Sequence, residues 1–258
     1  MAAVDTSDRR RVRIGKNVRI DVDHLEIGDG VFIGDNVVIE GPSVRIGDYT
    51  MIREGTTVGG RGATDIGMCC WIGPGCVLNA TDQFTMGNGV GVGAHSQLWT
   101  HMRFGDTLQG CRWDATKPMV IEDDVWFVGH CLVSPIHAAA RSMAMLGSVV
   151  VRDMEADRTY AGSPARDMTD KLGSQFAPVD LAAKRAKLES ERAAFAAQGG
   201  DADHIQVVTD WPAEMDPEVS YFNVSTREYT KRLTEPEMDF MLHLLTPIKF
   251  YPVETSVS

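Results

Sequence analysis

Three histidines, His95, His101 and His130, stand close together near the middle of a 258-residue chain that has seven in all. A neutral imidazole within hydrogen-bond reach of a hydroxyl or amine can take its proton and make it nucleophilic. Imidazoles at suitable spacing can instead hold a divalent metal. Cysteine is the other reactive type. The five cysteines include the adjacent Cys69 and Cys70 and form no C-x-x-C pair, a pattern that fits thiols in a reducing compartment better than a disulfide framework. Cys70, Cys76 and Cys131 recur at a small position of the repeat described next, which points to packing rather than to nucleophilic catalysis.

The elements that position these residues are legible as a period. Residues 27–38 read IGDGVF-IGDNVV and residues 66–77 read IGMCCW-IGPGCV, a six-residue unit with an aliphatic residue first and a small or β-branched residue fifth. The aliphatic positions run through Ile14, Ile20, Ile27, Ile33, Ile39, Ile46, Ile52, Val58, Ile66, Ile72, Leu78, Met86, Val92 and Leu98, then Ile121, Phe127 and Val133. Spacing is six except at 20→27, 39→46, 58→66, 78→86 and 98→121. The longer steps recur after every third unit, so all insertions fall at one corner of a coil with three short strands per turn. Such a coil is a parallel β-helix, its rungs stacked about 4.8 Å apart. The largest step projects residues 104–120 as a loop from that corner. Of the 25 glycines only Gly173, Gly199 and Gly200 lie beyond residue 170, as corners needing positive φ would demand. His95 and His130 each follow an aliphatic position by three residues, which places both in the second strand of their coils and on adjacent rungs. After Val133 two registers fit: Ala139, Met145 and Val151, or Ala138, Ala144 and Val150. A distorted last coil is expected there, with His137 as part of the distortion.

This chain resembles the hexapeptide-repeat acyltransferases over roughly residues 12–170. The segments that carry the resemblance are IEDDVWFVG at 121–129, GSVVVRD at 147–153 and AGSPAR at 161–166. With its inserted loop and the tryptophan after Val125, it looks most like the xenobiotic and galactoside acetyltransferase branch. The resemblance implies a mainly β fold, a left-handed parallel β-helix of about six coils, working as a homotrimer with sites between subunits. It implies an acyl-CoA co-substrate, acetyl-CoA first, and an acceptor hydroxyl or amine on a sugar, nucleotide sugar or other small molecule. His101, at the start of the loop, matches the family's catalytic histidine; the alternative is a loop histidine with a structural hydrogen bond. Trp126 matches the tryptophan lining the pantetheine groove, or is a packed corner aromatic. Gly129 would let backbone approach the pantetheine arm. Arg152 matches the basic position of the family's T-K-D and Arg166 follows the A-G-x-P-A segment; either could contact the CoA phosphates, or is a solvated charge. No metal is expected. Two other readings stand beside this one. A non-catalytic scaffold or regulatory β-helix would suit a degenerate last coil. A metalloenzyme like the γ-class carbonic anhydrases would use His95 and His130.

A net charge of −11 argues against nucleic acid as a partner. No apolar run reaches the ~18–20 residues of a membrane span, and the opening residues lack the apolar stretch of a secretory signal, so a cytoplasmic location is expected. Beyond the repeat, residues 171–200 read as a helical linker closed by Gly199 and Gly200. Residues 201–258 read as a small α+β domain, with strands at 204–208, 220–224 and 248–253 around a helix at 234–245. Thr234 and Glu237 have capping-box spacing, and the domain is expected to dock on the helix or on a neighbouring subunit.

Overall fold

The computed structural model describes residues 10–253. They divide into two units at residues 176/177. In the first, six-residue periodicity becomes three parallel sheets wrapped around one apolar core. Face one stacks Arg13–Ile14, Phe32–Ile33, Met51–Ile52, Trp71–Ile72, Gly91–Val92, Trp126–Phe127, Met143–Ala144 and Thr159–Gly162, closed by the antiparallel strand Ala165–Asp167. Face two begins in Arg19–Ile27 and Val38–Ile46 and continues through Thr57–Gly59, Val77–Asn79, Gln97–Trp99, Leu132–Val133 and Val149–Val150. Face three takes the far ends of those two long strands, then Thr64–Ile66, Phe84–Met86, Met119–Ile121 and His137–Ala138. This is a parallel β-helix.

Every second residue of each short strand points inward. Ile33, Ile52, Ile72, Val92 and Phe127 from face one meet Ile39, Val58, Leu78 and Leu98 from face two, all fully buried. The fifth position carries small hydroxyls and thiols that tie one rung to the next. Thr50 Oγ1 donates to the Gly67 carbonyl at 2.7 Å, and Thr56 Oγ1 donates to the Gly73 carbonyl at 2.8 Å. The Cys76 and Cys131 backbone N–H groups donate to Thr56 Oγ1 and Ser96 Oγ, each at 3.1 Å.

The register after Val133 resolves to Ala138, Ala144 and Val150, each at most 2% exposed. The corner between Val133 and Ala138 is one residue short, which is why strict sixes fail there. The last coil is therefore not distorted. It pairs Leu132↔Val149, Trp126↔Met143 and Val120↔His137 in continuous register. His137 does not occupy a small position. It is exposed on face three, with Nε2 2.7 Å from Glu122 Oε1.

The corners modify the expectation about glycine. Positive φ recurs in columns, but many of its occupants are not glycine: Asn36, His95 and His130 in one column, Tyr49, Cys69 and Asp124 in another. Several glycines serve close approach instead. A Cβ on Gly93 would lie 1.9 Å from the Val128 carbonyl oxygen of the next rung. Gly59 meets both demands at the corner that takes the insertions. Its φ is +119°, and a Cβ would lie 1.7 Å from the Glu40 carbonyl oxygen.

The inserted segment is a hairpin rather than an open loop. His101–Arg103 pairs antiparallel with Asp114–Thr116, and Asp106 caps the 3-10 turn Thr107–Gln109. Met119–Ile121 is already back in face three, with Met119 and Ile121 buried.

In the second unit, helix Leu181–Ala197 is capped by Asp180 and buries Leu188 and Phe195. It packs on helix Glu235–Leu244 and on strand Ile205–Val208. The sheet adds Ser220–Asn223, Glu228–Tyr229 and Tyr251–Pro252; the strand at 228–229 had no recognisable sequence signal. Phe222 anchors the core, its ring 5.1–5.4 Å from those of Tyr229, Phe240 and Phe250. The capping box is half made. Thr234 caps the helix, but the Glu237 carboxylate turns inward and accepts from Ser220 Oγ and from the Arg232 and Leu233 N–H groups. Burial pushes its carboxyl up from the ordinary value, against the pull of those donors.

Gly59→Ala is expected to destabilise the coil by about 1–3 kcal/mol, the usual cost of forcing a side chain into such a backbone. Chemical denaturation followed by circular dichroism reads this directly; an unshifted midpoint would contradict the close packing of the rungs.

Candidate active site

His101 leaves the coil just after strand Gln97–Trp99, at the corner between faces two and three. Thr100 fixes the exit. Its side chain is fully buried, its N–H and Oγ1 reach the Asn79 carbonyl at 3.2 and 3.1 Å, and its own carbonyl accepts from Lys117 N. The imidazole is partly buried. Its Nδ1 lies 3.0 Å from Asn79 Oδ1, and its ring meets the Trp99 indole edge-on at 5.6 Å. Nothing among the described residues bonds its Nε2. Asn79 was not anticipated from sequence, although the signal was present. Strand Val77–Asn79 lies one rung below Gln97–Trp99, which sets Asn79 beneath the segment that leads into His101.

The remaining expected residues are spread around the coil. Arg152 follows strand Val149–Val150, two rungs above His101 at the same corner, a rise of about 10 Å. It is exposed, with no ion-pair partner among the described residues. Trp126 lies elsewhere, in strand Trp126–Phe127 of face one, pointing outward and 42% exposed. It is therefore not a packed corner aromatic. Its indole lies over Gly91, whose Cβ would stand 2.8 Å from Trp126 Cδ1. Arg166 is exposed on the last strand of the same face, its guanidinium donating to the Ala165 carbonyl at 3.1 Å. Gly129 sits at the corner between faces one and two, φ +153°, with the Leu146 side chain over it. The chain thus brings His101 and Arg152 to one corner, and Trp126 and Arg166 to the face opposite that corner.

His95 and His130 do stack on adjacent rungs, ring centroids 5.2 Å apart and tilted by 41°. They lie in the turns rather than in the strands, both exposed and both at positive φ. Among the described residues no group of three or more His, Cys, Asp or Glu side chains converges as a metal site would require. Cys76 and Cys131 are buried, their thiols directed at the Gly93 and Gly129 carbonyls. Burial pushes the Cys76 thiol up, away from the thiolate a nucleophile needs.

The sequence pattern of the bacterial transferase hexapeptide family (six repeats) matches residues 24–60. That match spans two turns of the coil described above. Solved structures are similar to this chain over larger spans. The polySia-specific acetyltransferase NeuO is 19% identical at a TM-score of 0.52, covering 67% of this chain and 79% of that one. A perosamine N-acetyltransferase from Caulobacter crescentus, solved with CoA and GDP-perosamine, is 20% identical at a TM-score of 0.38, covering 60% and 56%. AntD, an N-acyltransferase from Bacillus cereus solved with dTDP and 3-hydroxybutyryl-CoA, is 16% identical at a TM-score of 0.39, covering 73% and 92%. The first of these likenesses is one of fold. No described helix is long and apolar enough to cross a membrane.

Of the five cysteines only Cys111, in the hairpin, is more than marginally accessible. A thiol reagent at neutral pH is expected to modify Cys111 quickly in the native protein and the other four only after denaturation. Rapid native labelling of Cys76 or Cys131 would contradict the packing role assigned to them.

Proposed function

We propose that this chain is an acyl-CoA-dependent transferase, acetyl-CoA being the first donor to consider, and that His101 is its general base. The observation that carries the reading is the imidazole itself. It is held at Nδ1 by Asn79, left open at Nε2, and set where the inserted hairpin leaves the coil. In this role Nε2 removes the proton of the acceptor hydroxyl or amine as that group attacks the thioester carbonyl. CoA departs as the thiolate and is reprotonated, and the acceptor keeps the acyl group. The polySia specificity named for the structurally similar acetyltransferase makes sugars the first acceptors to assay.

We also infer that the working unit is a homotrimer. Phe32, Met51, Trp71, Trp126 and Met143 form an apolar column up the outside of face one. Face three instead carries charge, with an Arg45–Asp65 ion pair and the His137–Glu122 contact. The hairpin adds Phe104, Leu108 and Trp113, each at least 70% exposed, which a neighbouring copy would cover. Within one chain His101 and the Trp126–Arg166 face look away from each other. An acyl-CoA lying along face one of one copy would meet the His101 of the next. Arg166, and Arg152 at the histidine's own corner, are then available to the CoA phosphates, and Gly129 lies beside the groove. The regular last coil removes the feature that favoured a non-catalytic scaffold.

Two measurements test this. Acetyl-CoA at about a hundred times its dissociation constant is expected to stabilise the protein by ~2.7 kcal/mol in thermal denaturation. No stabilisation at millimolar CoA would overturn the transferase reading. His101→Ala is expected to lower kcat about 10²–10⁴-fold while leaving that stabilisation intact. Loss of both would make the histidine structural.

A further inference from the structure

Resting on the reading of His101 as a base, we propose that Asn79 is its positioning residue, and that a Thr81–Asn79–His101 relay locks the imidazole in the Nδ1–H tautomer. The argument starts from a backbone amide. The N–H of Thr81 can only donate, and it points at Asn79 Oδ1 at 3.2 Å. The Thr81 hydroxyl meets the same oxygen at 2.9 Å. Turning the Asn79 amide over would set its NH₂ against the Thr81 N–H, two donors facing each other across a partly buried gap. The amide therefore has one orientation, with oxygen toward Thr81.

That same oxygen is the atom 3.0 Å from His101 Nδ1. An acceptor there requires a donor opposite, so Nδ1 carries the proton and the lone pair of the neutral ring resides on Nε2. The assignment reverses the preference of free imidazole side chains, which protonate mainly at Nε2. The relay is also braced from below. The Asn79 carbonyl accepts from Thr100, the residue immediately before His101, and the Thr100 hydroxyl in turn accepts from Asp82 N at 2.9 Å. Asn79, Thr81, Asp82 and Thr100 thus form a small polar frame at the corner where the hairpin departs. The Trp99 ring restrains the imidazole from one side. A base so held needs no reorientation before it takes a proton, which is the advantage of preorganised catalytic groups.

Long-range proton–nitrogen correlation spectra of the labelled, ligand-free full-length protein report the tautomer of His101, identified by its absence in His101→Ala. The expected spectrum shows Nδ1 protonated and Nε2 bare at neutral pH; a predominantly Nε2–H ring overturns the proposal. Asn79→Ala is expected to shift the ring toward Nε2–H and to lower kcat about tenfold or more, with KM for acyl-CoA unchanged. Asn79→Asp keeps an acceptor at the same place and is expected to retain the Nδ1–H form. An Asn79→Ala protein that folds with its tautomer unchanged removes Asn79 from the role. If that variant does not fold, the spectrum of the unaltered protein decides alone. A protein with the Nδ1–H ring but no acyl transfer would overturn the proposed function and leave the relay standing. Active protein with the opposite tautomer would do the reverse.

Discussion

Parallel strands can stack only at the separation their backbone hydrogen bonds allow, about 4.8 Å, and every other feature of the first unit follows from that spacing. A rung this close to its neighbours leaves one inward position per strand, one small position before it, and turns into which a Cβ often cannot fit. Ile52 and Ile72, Thr56 and Cys76, and the clash a Cβ on Gly93 would meet with Val128 are consequences of one distance. The same constraint decides where chemistry can reside. A side chain inside the coil is sealed from solvent, and one in mid-face is held in a regular column. Only a corner can release the chain outward without breaking the rungs above and below. The inserted hairpin leaves at such a corner and carries His101 with it, while Asn79, one rung below, remains fixed to the coil. The inserted hairpin thus has the end that carries His101 clamped to the most regular part of the molecule.

The period was legible because it obeys that constraint. Ile27 through Leu98 are buried as their spacing required, Ile20 packs partly against the core, Ile14 on the first rung is 40% exposed, and the long steps do mark a single corner. What the sequence obscured has physical causes. A one-residue shortening between Val133 and Ala138 made a well-formed coil look degenerate, because small alanines there replace the usual aliphatic residues. The glycine surplus was read as a demand for positive φ. Asn36, His95 and Asp124 show that other residues accept that conformation, while Gly93 is needed for close approach. In the second unit, Thr234 and Glu237 had the spacing of a capping box, yet the carboxylate found a buried set of donors instead. Spacing can propose a contact, but the best local donor decides it.

The site residues divide in the same way. His101 is proposed as the base on its place before the insertion and on the family resemblance. Asn79 and Thr81 were not anticipated, because their meaning depends on a neighbour one coil away that sequence distance conceals. The structure sets His101 at one corner of the coil and Trp126 and Arg166 on the face opposite it. If these residues share a site, two copies must build it. The apolar column on face one and the exposed hairpin tip then become the two halves of one interface.

The most direct test of that claim is complementation between inactive variants. His101→Ala and a Trp126→Ala, Arg166→Ala double variant are each expected to transfer little acyl group alone. Reassembled or co-expressed as mixed oligomers, they should recover activity, because an intact histidine from one copy then faces an intact donor surface on another. Mixed oligomers that form but stay as inactive as their parents would contradict a site shared between copies.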